Sequence, residues 1–166
     1  EQPQPQKARR LIVAGTAALI LAGGIVGAVY TQMPQTRAIA FYNQGLAKAK
    51  TGDKQAAIEQ FNQAIQLNPN YAPAYYQRAD ARFHLADYQG AIDDTTQAIK
   101  INPNYADAYR RRCAAQANLK NYQASISDCT QAIRLDPGNG LTYINRASTY
   151  YSLRENHKAI ADSTQA

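Results

Sequence analysis

The sequence predicts an all-α protein in which an apolar transmembrane helix precedes a superhelix of helical hairpins. Two observations predict this fold class. Residues 11–30 form an apolar stretch without a charged residue, and the residues beyond it repeat with a period of 34. With 45% hydrophobic and 18% charged residues, the chain is too apolar to be disordered throughout.

Residues 11–30 are predicted to span a membrane, because as a helix they would be about 30 Å long, the hydrocarbon thickness of a bilayer. A cleaved signal peptide is the alternative. Its apolar region is shorter, about 7–15 residues, and the Ala-x-Ala sequence at 38–40 lies within the first repeat. Basic residues within the flank 1–10 favour a cytoplasmic N-terminus. The repeats are then expected on the opposite side of a bacterial-type inner or thylakoid membrane.

Small residues recur within this stretch at a spacing of four: Ala14, Ala18 and Ala22, and the pair Gly23 and Gly27. Such stripes let membrane helices approach closely, which makes these residues candidates for helix packing. Gly and Ala are also common in membrane helices that have no such role, and both interpretations stay open.

The repeat is most visible in the prolines at 69, 103 and 137, each of which follows Asn or Asp. Beyond a linker of residues 31–37, alignment on these prolines gives four units: 38–71, 72–105, 106–139 and 140–166. Each unit has two runs of apolar residues at helical spacing with a break between them, which is typical of a helix–turn–helix. The fourth unit stops before its proline, and we expect further residues beyond it. The linker is short, so we expect the repeats to lie close to the membrane.

Each unit has an aromatic residue near its start, a small residue four positions later and alanines in the second helix, and each of the first three units has a closing proline. This pattern resembles the tetratricopeptide repeat (TPR), and the resemblance covers residues 38–166. It implies that the hairpins stack into a superhelix whose first helices line a concave, ligand-binding surface.

Arginine and aspartate recur 16 residues apart in three units: Arg78 with Asp94, Arg112 with Asp128, and Arg146 with Asp162. The first unit has Gln44 and Gln60 at these positions, so the two charges occur together or not at all. The two positions lie at similar height on the helices of a hairpin, and we therefore predict structural ion pairs. An arginine stripe that binds an anionic ligand is the alternative.

Cys113 and Cys129 also lie 16 residues apart. Gly or Ala replaces the first, and Phe, Thr or Ser the second, in the other units, which favours two core residues. A disulfide is the alternative, and it would require an oxidising compartment and a Cα separation below about 7 Å.

Candidate partner-binding residues share the predicted concave surface: Tyr42, Leu46, Tyr76, Phe83, His84, Arg110, Ile144 and Tyr151. One arginine within an aromatic and aliphatic lining suggests an extended or helical protein segment with an acidic residue as the ligand. Alternatively, the tyrosines pack neighbouring helices together and leave little groove. Some TPR domains hold chaperone C-termini with a set of Lys, Asn and Arg. Here Tyr42 and Leu46, or Tyr76 and Asp80, stand at the positions of its Lys and Asn.

No metal, cofactor or catalytic activity is predicted. His84 and His157 have no Cys, Asp or Glu at ligand spacing on the same helix face, and the sequence contains no phosphate loop or nucleophile elbow. The net charge is +6, yet the basic residues form no continuous stripe, so nucleic acid is not expected as a partner.

The predicted function is a membrane-anchored scaffold that binds other proteins, chiefly membrane proteins or their extended segments, and helps to assemble a membrane complex. Lipid is contacted through residues 11–30. The turn sequence Ile-Asn-Pro-Asn-Tyr resembles cyanobacterial repeats, and the architecture is similar to that of thylakoid photosystem assembly factors. A periplasmic chaperone or secretion adaptor is one alternative. The other is a basic surface that binds anionic lipid or nucleic acid, formed by Lys48, Lys50, Lys54, Arg110 and Arg111.

Overall fold

The computed structural model describes residues 33–166, all of whose regular structure is α-helical. Eight helices follow one another in this range: α1 (Pro34–Lys50), α2 (Lys54–Leu67), α3 (Ala72–His84), α4 (Tyr88–Ile101), α5 (Ala106–Asn118), α6 (Tyr122–Leu135), α7 (Gly140–Ser152) and α8 (Asn156–Ser163). They form four antiparallel hairpins, α1 with α2 through α7 with α8, and each hairpin packs against the next. The chain is therefore a solenoid of four helical hairpins, as the period of 34 predicts.

The predicted membrane helix and its stripe of Ala14, Ala18, Ala22, Gly23 and Gly27 lie outside the described residues. Within residues 33–166, no helix combines the length and the hydropathy that a bilayer crossing needs. The first helix begins at Pro34, inside the stretch predicted as a linker, because proline is well suited to the first turn of a helix.

Each hairpin turns through one residue in the left-handed region of φ. The four residues are 34 positions apart: Gly52 (+88°), Ala86 (+61°), Lys120 (+63°) and Arg154 (+61°). The backbone N–H groups of this residue and of the next one bond back to carbonyls of the preceding helix, at 3.2 and 3.1 Å in the first unit, which closes a Schellman motif. Only the first of the four residues is a glycine.

The second helix of a hairpin begins directly after this turn. Asp53 and Asp87 accept hydrogen bonds from the backbone N–H groups of Ala56 and Gly90, at 3.0 and 2.9 Å, and so cap α2 and α4. Between units, the residue before each proline has an extended backbone that ends the helix, since proline disfavours a helical conformation at the preceding position.

In the core between the two helices of a hairpin, a small residue of the first helix lies against a larger residue of the second helix. Gly45 lies against the ring of Phe61, so closely that a Cβ on Gly45 would lie 2.4 Å from a ring carbon. The second unit has Ala79 and Thr95 at the same two positions, both fully buried. Volume is therefore conserved across the pair of positions while the individual residues differ.

Curvature follows from how the hairpins stack. Each first helix packs against both helices of the preceding unit, and successive first helices (α1, α3, α5 and α7) also contact one another. Within residues 33–166, successive second helices do not approach one another in this way. The first helices thus occupy the inner, concave side of the solenoid, and this arrangement places the candidate groove.

Candidate functional site

The predicted arginine–aspartate pairs are in contact in all three units. Arg78 Nη2 lies 2.5 Å from Asp94 Oδ1, and Arg112 and Arg146 each donate two hydrogen bonds of 2.7 Å to their aspartates. Both oxygens of each carboxylate are engaged, which is the bidentate geometry that the guanidinium fork favours. The pairs lie largely buried between the helices of one hairpin.

The same arginines also connect neighbouring units. The remaining nitrogen, Nη1, donates to a side chain on the second helix of the preceding unit: from Arg78 to Asn62 (2.6 Å), from Arg112 to Thr96 (3.1 Å) and from Arg146 to Thr130 (3.0 Å). Each guanidinium also lies 5.5–5.9 Å from the centre of a tyrosine ring one turn earlier. These arginines have structural partners on several sides, so the geometry does not favour a stripe that binds an anionic ligand.

The two cysteines are both core residues and a disulfide. Cys113 and Cys129 are fully buried and bonded to each other, with their Cα atoms 5.4 Å apart. The prediction of two core residues is confirmed, and the disulfide that the sequence left open as the alternative is present. The pair stands at the positions of Gly45 and Phe61 in the first unit, and a covalent bond fills the space that a ring fills there.

Aromatic residues line the first half of the concave surface. Tyr42 packs against Tyr71, with ring centres 5.1 Å apart, and against Phe61 at 5.9 Å. Tyr76 repeats the first contact with Tyr105, also at 5.1 Å. Burial raises the pKa of Tyr42 and of Tyr76, whose hydroxyls stay neutral hydrogen-bonding groups. The tyrosines thus serve helix packing, as the alternative interpretation expected, yet remain half-buried rather than enclosed.

The middle of the surface carries a polar network that the sequence did not predict. Arg111 of α5 forms an ion pair with Asp80 of α3, and its guanidinium lies 4.6 Å above the centre of the Phe83 ring. His84 Nε2 lies 3.7 Å from the same carboxylate, one turn along α3. The expectation that His84 has no acidic neighbour on its own helix face is therefore wrong.

Arg110, predicted as the cation that meets an acidic ligand, already has an acidic partner. Its Nη2 donates to Asp107 Oδ1 at 2.9 Å within the first turn of α5. Both arginines of the central groove are thus neutralised by carboxylates of the groove itself. This pairing reduces the attraction that an acidic ligand would feel.

The remaining predicted groove residues lie towards the two ends of the solenoid. Leu46 is half-buried on α1, whereas Ile144 and Tyr151 on α7 are exposed. The structure therefore brings together Tyr76, Phe83 and His84 with the arginines of α5, and it places Ile144 and Tyr151 on a separate surface at the last hairpin.

The described residues offer no site for a metal, since no three His, Cys, Asp or Glu side chains among them are grouped as ligands. What the concave surface offers is a row of half-buried aromatic rings with polar groups between them. Such a surface recognises a chain of amino acids by packing and hydrogen bonding.

Similarity to known families agrees with this geometry. A tetratricopeptide repeat model matches residues 38–71 and 72–105, and a second tetratricopeptide repeat model matches residues 114–139, together more than half of the chain. The fold and its concave surface define a helical-repeat scaffold of the kind that binds other proteins. The chain belongs to the tetratricopeptide repeat family. No curated protein matches it.

Solved TPR domains have the same fold. The TPR domain of Arabidopsis OM64 superposes with a TM-score of 0.70 at 27% identity, over 72% of this chain and 98% of that domain. The second TPR domain of human RPAP3, in complex with the HSP70 peptide SGPTIEEVD, superposes with a TM-score of 0.68 at 28% identity, over 70% of this chain and 97% of that domain. MamA from Desulfovibrio magneticus RS-1 superposes with a TM-score of 0.74 at 20% identity, over 82% of this chain and 77% of that chain. At this identity the similarity is one of fold alone.

Proposed function

We propose that this chain is a membrane-anchored scaffold whose concave groove binds an extended or helical segment of another protein. The observation that carries the proposal is the row of half-buried rings along successive first helices, led by Tyr42 and Tyr76. Aromatic surface that is fixed by neighbouring rings loses little conformational entropy when a ligand packs on it. The RPAP3 domain, which binds a peptide, supports the use of this fold for that purpose.

The ligand is expected to be mainly apolar. Because Asp107 and Asp80 neutralise Arg110 and Arg111, an acidic segment would have to displace existing ion pairs. The HSP70 peptide bound by RPAP3 ends in Glu-Glu-Val-Asp. We do not expect this chain to bind such a tail, because Tyr42 and Tyr76 stand where a lysine is needed.

Site-specific photo-crosslinking tests the groove. Benzoylphenylalanine replaces Leu46 on the concave surface in one variant and the exposed Gln97 of α4 in the control. We expect a discrete adduct from Leu46 alone, which disappears when Tyr76→Ala is added and persists at about 0.5 M salt, where surface ion pairs are screened. Equal adducts at both positions, or loss of the adduct with salt, would contradict the groove and favour a basic surface that binds anions.

Anchoring rests on residues 11–30, whose length and lack of charge support a bilayer crossing. Extraction of membranes with alkaline carbonate should leave the full chain in the pellet and release a chain of residues 33–166. Release of both would contradict the anchor.

Orientation with the repeats on the non-cytoplasmic side is supported by the disulfide between Cys113 and Cys129, because such bonds persist in oxidising compartments. For an inner membrane, protease added to intact spheroplasts should then digest the repeats; for a thylakoid membrane, protease should digest them only after sealed thylakoid vesicles are opened. The disulfide equally supports the second candidate function, a periplasmic chaperone or secretion adaptor.

The partner that we propose is a membrane protein, and the complex a photosynthetic one in a thylakoid membrane. The support is the turn sequence Ile-Asn-Pro-Asn-Tyr, which resembles cyanobacterial repeats, together with the anchor. Mass spectrometry of the Leu46 adduct names the partner. A photosystem subunit would favour assembly of photosynthetic complexes, and a secreted protein would favour the adaptor.

A further inference from the structure

Four tyrosine rings form a ladder along the concave surface of the first two units. The rings of Tyr42 and Tyr71 pack with their centres 5.1 Å apart, and those of Tyr76 and Tyr105 repeat this contact 34 residues further along the chain. All four residues are half-buried rather than enclosed, so a ligand is able to reach them. We name these four residues the tyrosine ladder. In the third unit an arginine and an asparagine stand at the equivalent positions, so the ladder ends after two pairs.

The hydroxyls of the ladder lie close to one another and stay protonated. Burial raises the pKa of Tyr105, and the neighbouring hydroxyls of Tyr76 and Tyr42 raise it further, since negative charges so close together would repel. Burial likewise raises the pKa of Tyr71. At neutral pH the ladder therefore combines four aromatic rings with four uncharged hydroxyls, each of which is able to donate a hydrogen bond.

The spacing of the two tyrosine pairs matches one turn of a polyproline II helix. Tyr42 lies on α1 and Tyr76 at the same position of α3, and these two helices are in contact. Helices in contact lie about 8–10 Å apart. A polyproline II helix has three residues per turn and rises about 3.1 Å per residue, which gives about 9 Å per turn. A segment that crosses the two helices would thus present every third residue to a tyrosine pair.

Hydrogen-bonding capacity also favours a polyproline II segment. Its backbone carbonyls have no internal partner and accept hydrogen bonds from tyrosine hydroxyls, whereas an α-helix already pairs its carbonyls within itself. The neighbouring carboxylates are occupied, since Asp80 pairs with Arg111 and Asp107 with Arg110. A ligand N–H that is buried there would compete with these arginines for an acceptor, whereas proline has no N–H to satisfy.

We propose that the tyrosine ladder binds a proline-rich segment of the partner protein in the polyproline II conformation, with prolines three residues apart on the two tyrosine pairs. This inference rests on the proposed function, since it names the kind of segment that the groove holds. Charge is complementary, because the ladder and such a segment are both uncharged and no ion pair of the groove has to be broken. Proline packs well on aromatic rings and loses little conformational entropy on binding, because its φ is already fixed.

Fluorescence anisotropy with two labelled peptides tests the proposal. One peptide is a decamer of L-proline. The other is a decamer of D-proline, which has the same composition and hydropathy but forms the mirror-image helix. The protein is the full chain in detergent. We expect saturable binding of the L-proline peptide, at least about ten times tighter than that of the D-proline peptide, and unchanged at about 0.5 M salt because no charge takes part.

Three variants locate the binding. Tyr76→Ala removes a ring of the ladder and should weaken binding of the L-proline peptide more than about tenfold. Tyr76→Phe with Tyr105→Phe keeps both rings, removes two hydrogen-bond donors and should weaken it about tenfold. Tyr151→Ala removes a tyrosine of α7 that is 72% exposed and lies outside the ladder, and the affinity should not change. Circular dichroism verifies folding, and the double phenylalanine variant, which preserves the ring packing, decides the matter if Tyr76→Ala unfolds.

The photo-crosslink at Leu46 separates this proposal from the proposed function. Leu46 lies one turn along α1 from Tyr42, so the L-proline peptide should suppress the adduct in solubilised membranes, and the D-proline peptide should not. Equal affinities for the two peptides, or selective binding that survives Tyr76→Ala and the double phenylalanine variant, would overturn the polyproline II ligand while a discrete Leu46 adduct still upheld the groove. Equal adducts from Leu46 and Gln97 would overturn the groove itself, and with it this proposal.

Discussion

Arg112 donates two hydrogen bonds of 2.7 Å to Asp128, which joins the two helices of the third unit through a carboxylate side chain that is only 9% exposed. Removing one partner leaves the other buried and unpaired. We expect Asp128→Asn to lower the free energy of unfolding by about 3 kcal/mol. Urea unfolding followed by circular dichroism measures this loss.

The first unit supplies the control for that variant. Gln44 and Gln60 stand at the positions of Arg112 and Asp128, so the fold accommodates an uncharged pair there. The double substitution Arg112→Gln with Asp128→Gln should cost clearly less than Asp128→Asn alone, since no charge is left unpaired. A double variant at least as unstable as the single one would contradict a buried, structural ion pair.

Reduction of the disulfide between Cys113 and Cys129 is expected to destabilise the repeats by about 3 kcal/mol, because the bond closes a loop of 16 residues in the unfolded chain. The urea midpoint with and without reductant measures this effect. The control is the variant Cys113→Ala with Cys129→Thr. Its urea midpoint should lie below that of the oxidised wild type, both with and without reductant. A wild-type midpoint that does not move with reductant would show that the bond contributes nothing to stability.

Gly45→Ala is expected to destabilise the first hairpin by about 2 kcal/mol, because the added Cβ overlaps the Phe61 ring. Adding Phe61→Thr should recover part of this loss, since Ala with Thr is the pair that the second unit uses at these positions. Thermal unfolding of the two variants and the wild type provides the comparison. If Phe61→Thr made the Gly45→Ala variant still less stable, the two residues would not be a matched pair.

The sequence could predict the features that recur. A period of 34 aligned four units, and three repetitions of Arg with Asp at the same separation placed both residues on facing helices. The contact between Arg111 and Asp80 occurs once and joins two neighbouring units. Because no equivalent pair of residues recurs in the other units, the repeat pattern did not indicate this contact. Spacing also could not decide whether Cys113 and Cys129 are bonded, because a buried thiol pair and a disulfide occupy the same positions.

The hairpin turns show the same limit for the backbone. Glycine at position 52 agrees with a left-handed φ, but alanine, lysine and arginine at the equivalent positions give no such indication. In those three units the Schellman hydrogen bonds and the start of the next helix impose the conformation on the residue.

This imposed conformation leads to the last prediction, which concerns Lys120. Its φ of +63° places the Cβ close to the backbone, a strain that glycine does not have. We expect Lys120→Gly to raise the free energy of unfolding by about 1 kcal/mol, measured by urea unfolding. Gly52→Ala is the reverse control. Since a Cβ at that position would meet no atom within 4 Å, its expected loss of about 1 kcal/mol would come from the backbone alone. If the Lys120→Gly variant were less stable than the wild type, the lysine side chain would stabilise the fold by more than its left-handed backbone conformation destabilises it.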